Sequence, residues 1–171
     1  MRRIAVVAVL AVALAFSGMA FAFDNEPEGF RDLKWGDPPT ETMEYFDDVD
    51  EFMKVYSDPD ASNKLGDVYF YRMFFAYYVD VDESLKFAGV TLFYQSKKHF
   101  ETLQTLCKSR FGPATDEDYQ EMLWEGIVTS IHLKHDSIEE EGFLSIDSTR
   151  LWNKYLERKE QKQVEDAEGD W

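Results

Sequence analysis

Three histidines, one cysteine, nine tyrosines and 34 acidic residues are the groups in this 171-residue chain that could do chemistry. His132 and His135 are the nearest approach to a metal pair. A spacing of three along a strand places them on opposite faces, so they cannot share a coordination shell without a bend. His99 falls in a helical pattern, and three scattered histidines without a cysteine pair lack zinc-site spacing. The run Asp58-Pro-Asp60-Ala-Ser62 opens like a calcium loop, but Asn63 and Tyr69 stand where that loop needs Gly and Glu. It reads as an Asx-rich turn. Acidic clusters at Asp47-Asp48, Asp50-Glu51, Asp80 with Asp82-Glu83, and Glu139 to Glu141 leave weak divalent-cation binding open, although solvated turns are the commoner meaning of such runs. No metal-ligand set and no cofactor is assigned.

Catalytic patterns are equally sparse. There is no Gly-x-Ser-x-Gly elbow and no glycine-rich phosphate loop. Cys107 lies on an apolar helical stripe, where cysteine acts as a small hydrophobe more than as a nucleophile. A carboxylate-dependent hydrolase of the cell envelope stays open as an alternative, because among 34 acids some pair always lies close. No catalytic residue is assigned.

The tyrosines are the most informative group. Residues 67–80, DVYFYRMFFAYYVD, read as the clearest strand, dense in aromatic and β-branched residues and free of Gly and Pro. Both of its faces are apolar. That pattern fits a central strand covered on both sides, or a strand with one face at a binding surface. In the second case Tyr69, Tyr71, Tyr77 and Tyr78, with Tyr94 as a further member, line a groove for a peptide, a glycan or an apolar ligand. In the first case they are core residues whose hydroxyls reach the edges.

The elements that position these residues follow from periodicity. Asp37 with Pro38 reads as a helix start, running to about Phe46. Residues 47–56 read as a weak strand, and 84–95 as a long strand pairing back on 67–80. Ser96 caps a helix over Lys97 to Phe111, whose stripe is Phe100, Leu103, Cys107 and Phe111, with Gly112-Pro113 as its stop. Residues 120–125 and 127–135 form a hairpin, GFLSID adds a strand, and a last helix starts near Ser148 or Thr149. The expected fold is α+β, an antiparallel sheet of about six strands with helices packed on one face, in the order α-β-β-β-α-β-β-β-α. The strand-to-helix outline from Gly89 to Leu103 recurs from Gly142 to Leu156, which admits two αβββ units.

Residues 1–22 read as an export signal. Arg2 and Arg3 precede an apolar run from Ile4 to Phe16, and Ala20-Phe21-Ala22 supplies small residues at the cleavage site. The run is too short for a membrane span. The expected processing leaves one domain over 23–156 and a polar tail over 157–171 that is frayed or disordered. Phe23 follows the cleavage point where a lipid anchor needs Cys, so no lipid anchor is expected. Loss of the two arginines takes the formal charge from −16 to −18. Such acidity argues against nucleic acid as a partner, since phosphate contacts need Lys and Arg. A lone cysteine cannot form an internal disulfide, so the fold must stand on its core.

The opening GFRDLKWGDPP, the helix ending RFGP and the Trp124-Glu125-Gly126 hairpin resemble a set of small exported bacterial proteins that begin Gly-Phe-x-x-Leu/Ile-x-Trp-Gly and have no assigned function. The resemblance implies an envelope protein and carries over no catalytic residue. The expectation is a periplasmic or secreted bacterial protein, a non-catalytic binding or protein-interaction module. Its partner would be an envelope protein or a small apolar or glycan ligand.

Overall fold

The computed structural model describes residues 23–169, so the expected export signal lies outside the described residues. The chain opens with a small hairpin, β1 (Gly29–Phe30) and β2 (Leu33–Lys34). A second hairpin pairs β3 (Glu44–Asp50) with β4 (Met53–Ser57), and a third, short one pairs β5 (Lys64–Leu65) with β6 (Val68–Tyr69). The long strands β7 (Arg72–Val79) and β8 (Leu85–Gln95) follow, then helix α1 (Lys97–Phe111). That helix carries the chain to the far edge of the sheet. From there β9 (Asp116–Glu117), β10 (Glu121–Glu125), β11 (Thr129–Asp136) and β12 (Glu141–Ser148) return strand by strand until β12 lies against β8. Helix α2 (Thr149–Gly169) ends the described chain. The result is one eight-stranded antiparallel sheet, ordered β3-β4-β7-β8-β12-β11-β10-β9.

This overturns the expected α+β fold of about six strands. The protein is mostly β, its sheet has eight strands, and the described residues form two helices, not three. The helix expected after Asp37 does not form. Gly36 N–H donates to the Phe87 carbonyl at 2.9 Å and Phe87 N–H to the Asp37 carbonyl at 2.8 Å, so this segment runs beside β8. Trp35 lies on Phe87 with ring centroids 5.1 Å apart, and Pro39 biases Pro38 towards extended backbone. The weak strand expected at 47–56 is two strands joined by the Glu51-Phe52 turn. The strand expected over 67–80 breaks at Phe70 and Tyr71, where Phe70 N–H turns to the Asn63 carbonyl at 2.8 Å.

Nor do the helices share a face. Side chains alternate across a strand, and the neighbours Tyr77 and Tyr78 point into different clusters. Tyr77, Leu92, Leu133 and Trp124 pack with Phe100, Leu103 and Cys107 of α1. Tyr78, Ala88 and Met53 pack with Leu151 and Tyr155 of α2 on the other side. A central strand with two apolar faces needs cover on both, and one helix on each face supplies it. Strand-into-helix does occur twice, β8 into α1 and β12 into α2, but the unit is four strands and then a helix, in place of αβββ. The strand order is palindromic, yet no two-fold axis through the sheet relates the halves, because it would put both helices on one face.

Local chemistry explains where the helices begin. Ser96, at φ 77°, accepts from His99 N–H and starts α1. Ser148 accepts from Leu151 N–H at 3.4 Å and does the same for α2. Past Tyr155 the side chains of α2 are mostly exposed, although the backbone stays helical through Gly169 where a frayed tail was expected.

Candidate functional site

The structure separates the five candidate tyrosines. Tyr69 and Tyr71 are about half exposed, at 51% and 47%. Tyr69 stands beside Lys64, and the Tyr71 hydroxyl reaches Glu141 at 3.4 Å. Tyr77 and Tyr94 are buried on the α1 face, and Tyr78 is buried beneath α2. Tyr94 lies flat across Gly142, its cross-strand partner, and donates to the Lys134 carbonyl at 2.8 Å. Only glycine fits there, because a Cβ would strike both the Tyr94 ring and the Lys134 carbonyl. The five do not gather into one groove.

The concave site lies elsewhere, where the N-terminal segment crosses the end of α1. Hydrogen bonds made by three of its residues hold that segment. Glu26 accepts from the backbone N–H groups of Val128 and Thr129 at 2.5 and 2.6 Å. Trp35 Nε1 donates to Thr129 Oγ1 at 2.8 Å, and Asn25 Nδ2 donates to the Arg110 carbonyl at 2.7 Å. The last of these satisfies a carbonyl at the C-terminal end of α1 that the helix itself leaves open. Phe23 packs edge-on against Phe111 at 5.7 Å.

Between this segment, the β5–β6 hairpin and α1 lies a cleft of about 640 Å³, within the range of small-ligand sites. Strand β12 supplies Leu144 and Ile146; α1 supplies Leu106, Cys107 and Phe111; the β1–β2 hairpin supplies Phe30 and Leu33. The lining is largely apolar, with charge confined to Glu28, Arg31, Lys34 and Arg110. Arg31 sits at φ 56° in the turn between β1 and β2. Its guanidinium lies 4.8 Å from the centre of the Phe30 ring and donates to the Lys64 carbonyl at 3.2 Å. Partial burial lowers its pKa, against the pull of Asp32 and Asp58. Arg110 lies 5.7 Å from the centre of the Phe111 ring. Burial pushes the Cys107 thiol up to about 12, so at neutral pH it is an apolar wall and not a thiolate.

The second apolar feature is on the opposite face. Phe46, Phe74, Phe93 and Phe143 run in a row across β3, β7, β8 and β12, with successive ring centroids 4.6, 6.1 and 6.4 Å apart. Beside the row, Ser145 Oγ donates to Asp147 at 2.5 Å and sits 3.4 Å from Thr91 Oγ1. Burial raises the Asp147 carboxyl to about 6, partly offset by that Ser145 bond. Its cross-strand partner is Gly89, where a Cβ would collide with the carboxylate.

No family model matches the chain, and neither does any curated protein or solved structure.

The remaining candidates fall on this geometry as follows. His132 Nε2 pairs with Glu121 at 2.5 Å on the open face. His135 is buried on the α1 face between Tyr94 and Phe100, with neither ring nitrogen hydrogen-bonded. They do lie on opposite faces of β11. Among the described residues no three His, Cys, Asp or Glu side chains gather as a metal set, and no helix is long and apolar enough to cross a membrane. Asp58 accepts from the Asp60 and Ala61 backbone N–H groups, an Asx turn. A further depression, beside Glu157, Glu160 and Val164, has lining from α2 alone and no opposing wall.

Sequence reasoning passed over the cleft because its walls come from four segments far apart in the chain. One local signal was present: in a strongly acidic chain, Arg31 and Lys34 alternate with Phe30, Leu33 and Trp35, with Asp32 the one acid between Phe30 and Trp35.

Proposed function

We propose that the protein is an exported, non-catalytic binding module of the bacterial envelope, and that it holds a small apolar ligand in the cleft between α1 and the β1–β2 hairpin. The cleft carries the reading: about 640 Å³, with largely apolar walls drawn from four segments, the N-terminal one held by hydrogen bonds to β11 and to the end of α1. Apolar walls give affinity through burial, and a few polar groups at the rim orient the ligand. The N-terminal pattern of residues 1–22 supports export.

The hydrolase alternative needs two carboxyls facing each other across a cleft. This one is lined by a single carboxylate, Glu28. A protonated Cys107 supplies no nucleophile in its place.

A neutral hydrophobic dye, N-phenyl-1-naphthylamine, tests the reading. The native chain is expected to bind it saturably with enhanced emission, and Leu106→Trp, which fills the cleft from the partly exposed side of α1, is expected to abolish the response. No saturable binding, or binding unchanged in L106W, would overturn the assignment. Cell fractionation with N-terminal sequencing checks export, the expected outcome being an envelope chain beginning at Phe23.

A further inference from the structure

We infer that the ligand of this cleft is a single-chain amphiphile with an anionic head, its tail among Leu106, Phe111, Leu144 and Ile146 and its head at Arg31 and Arg110. The inference rests on the binding reading above and adds the head-group chemistry.

The first observation is the sign of the local charge. The chain carries 34 acidic and 18 basic residues, yet three of the four charged residues lining the cleft are cations. A random patch of this surface would be acidic. The second is what those cations do. Lys54, Lys108 and Lys159 sit 3.0, 2.6 and 3.3 Å from carboxylates. Among the described residues, Arg31, Lys34 and Arg110 have no carboxylate within 4.0 Å. Asp32 and Asp58 act on Arg31 only from a distance. Other described cations, Lys64, Arg72 and Lys86 among them, also stand outside an ion pair; what sets these three apart is that they line the cleft, where they are available to a ligand.

The third observation is how the two guanidiniums are mounted. Arg31 lies by Phe30 and Arg110 by Phe111, and both rings also line the cleft. A guanidinium lying against an aromatic ring keeps its N–H edge pointing away from that ring; Arg31 gives one N–H to the Lys64 carbonyl, and the N–H groups that remain on each fork match the oxygens of a carboxylate or phosphate. Apolar walls with two such forks in their lining fit an alkyl chain that ends in an anion. They do not suit a neutral or cationic head. A glycan would leave the apolar walls unused.

Isothermal titration with dodecanoate, dodecyl phosphate, dodecanol and dodecyltrimethylammonium, each below its micelle concentration, tests this. Dodecanoate or dodecyl phosphate is expected to bind about tenfold or more tightly than dodecanol, the scale of a charge-assisted hydrogen bond. The preference is expected to shrink as salt rises, and the ammonium amphiphile is expected to bind weakest. The relative affinity of the two anions shows whether the head is a free carboxylate or a phosphate of the lipid-headgroup type. In Arg110→Gln, and in Arg31→Gln with Arg110→Gln, the anions are expected to fall to the dodecanol level while dodecanol is unchanged. That unchanged control keeps a misfolded variant from counting as support. Equal binding of dodecanol and both anions, unaffected by these substitutions, would overturn the anionic head while leaving the apolar cleft intact. Preference for the ammonium head would also overturn it. Anion binding that survives Leu106→Trp would place it outside the cleft and overturn it. Absence of binding by all four would remove both this inference and the reading beneath it.

Discussion

The two faces of the sheet are made by the same strands and end in different states. On the α1 face, Trp124, Leu133, Leu92 and Tyr94 are fully buried and form one continuous cluster with Phe100 and Leu103. On the α2 face, the buried cluster is six residues, Leu151 and Tyr155 of the helix and four beneath its first turns. The rest of that face keeps the phenylalanine row and the Asp147 carboxyl partly in water. The helices explain the difference. The apolar stripe of α1 runs its whole length, from Phe100 to Phe111, and the N-terminal segment covers what it leaves. The stripe of α2 ends at Tyr155, which donates to Asp50 at 2.8 Å, and beyond it Arg158 and Lys159 reach back to the Val79 carbonyl and to Asp50. A helix can bury only as much sheet as its own apolar residues match. The cleft belongs to the well-covered face, where the N-terminal hairpin and α1 come together without closing.

The largest expected effect breaks the comparison directly. Trp124→Ala removes a fully buried ring whose Nε1 donates to the Gly112 carbonyl at 3.1 Å, and is expected to cost about 3–5 kcal/mol. Phe93→Ala on the open face is expected to cost about 1–2 kcal/mol, since its ring is only partly buried. Urea unfolding of the two variants checks this; equal losses would mean that the faces are equally packed.

A pair of glycines sharpens it. Gly142→Ala drives a Cβ into Tyr94 and the Lys134 carbonyl and is expected to cost about 2–3 kcal/mol. In Gly89→Ala the main clash is with the Asp147 side chain, which can swing away, so a loss of about 1 kcal/mol is expected. Thermal melts of both, with the order reversed, would show the open face to be the stiffer.

Asp147 gives the open face a pH dependence. Its folded carboxyl titrates near 6, above the unfolded value of about 3.9. Between these values the folded chain holds the proton and the unfolded chain does not. Stability therefore falls as pH rises through this window, and the penalty is complete above about pH 6. Asp147→Asn is expected to raise stability at pH 7 by about 1–2 kcal/mol, less than the full shift implies because the side chain is in part accessible to water. It is also expected to flatten the pH 4–6 dependence of the melting temperature; a wild-type curve already flat there would contradict this.

The smallest effect is on the covered face. His135→Phe replaces two buried, unpaired ring nitrogens between Tyr94 and Phe100, and is expected to stabilise by about 1 kcal/mol. Loss of stability on denaturant unfolding would reveal a partner for that imidazole.

Much of the local structure was legible. The α1 stripe, its Ser96 cap, the β10–β11 pairing and the start of α2 each rest on near neighbours, so period and capping chemistry expose them. The Asp37 helix was misread because its local signals are real but lose to pairing with Phe87, fifty residues away. The phenylalanine row was not legible, since it comes from four strands whose order no short-range pattern records. The tyrosines illustrate the same limit: residues 67–80 show two apolar faces, but not which helix covers which.

By itself, the sequence determined α1, the start of α2, the β10–β11 hairpin and which sides of them are apolar, because period and capping are properties of neighbours in the chain. Only the tertiary structure decided that α1 and α2 take opposite faces, that Tyr94 needs Gly142, and that Arg31 and Arg110 both line one cleft. Those facts depend on contacts between distant segments, and the free energy of such contacts is not written in any one of them.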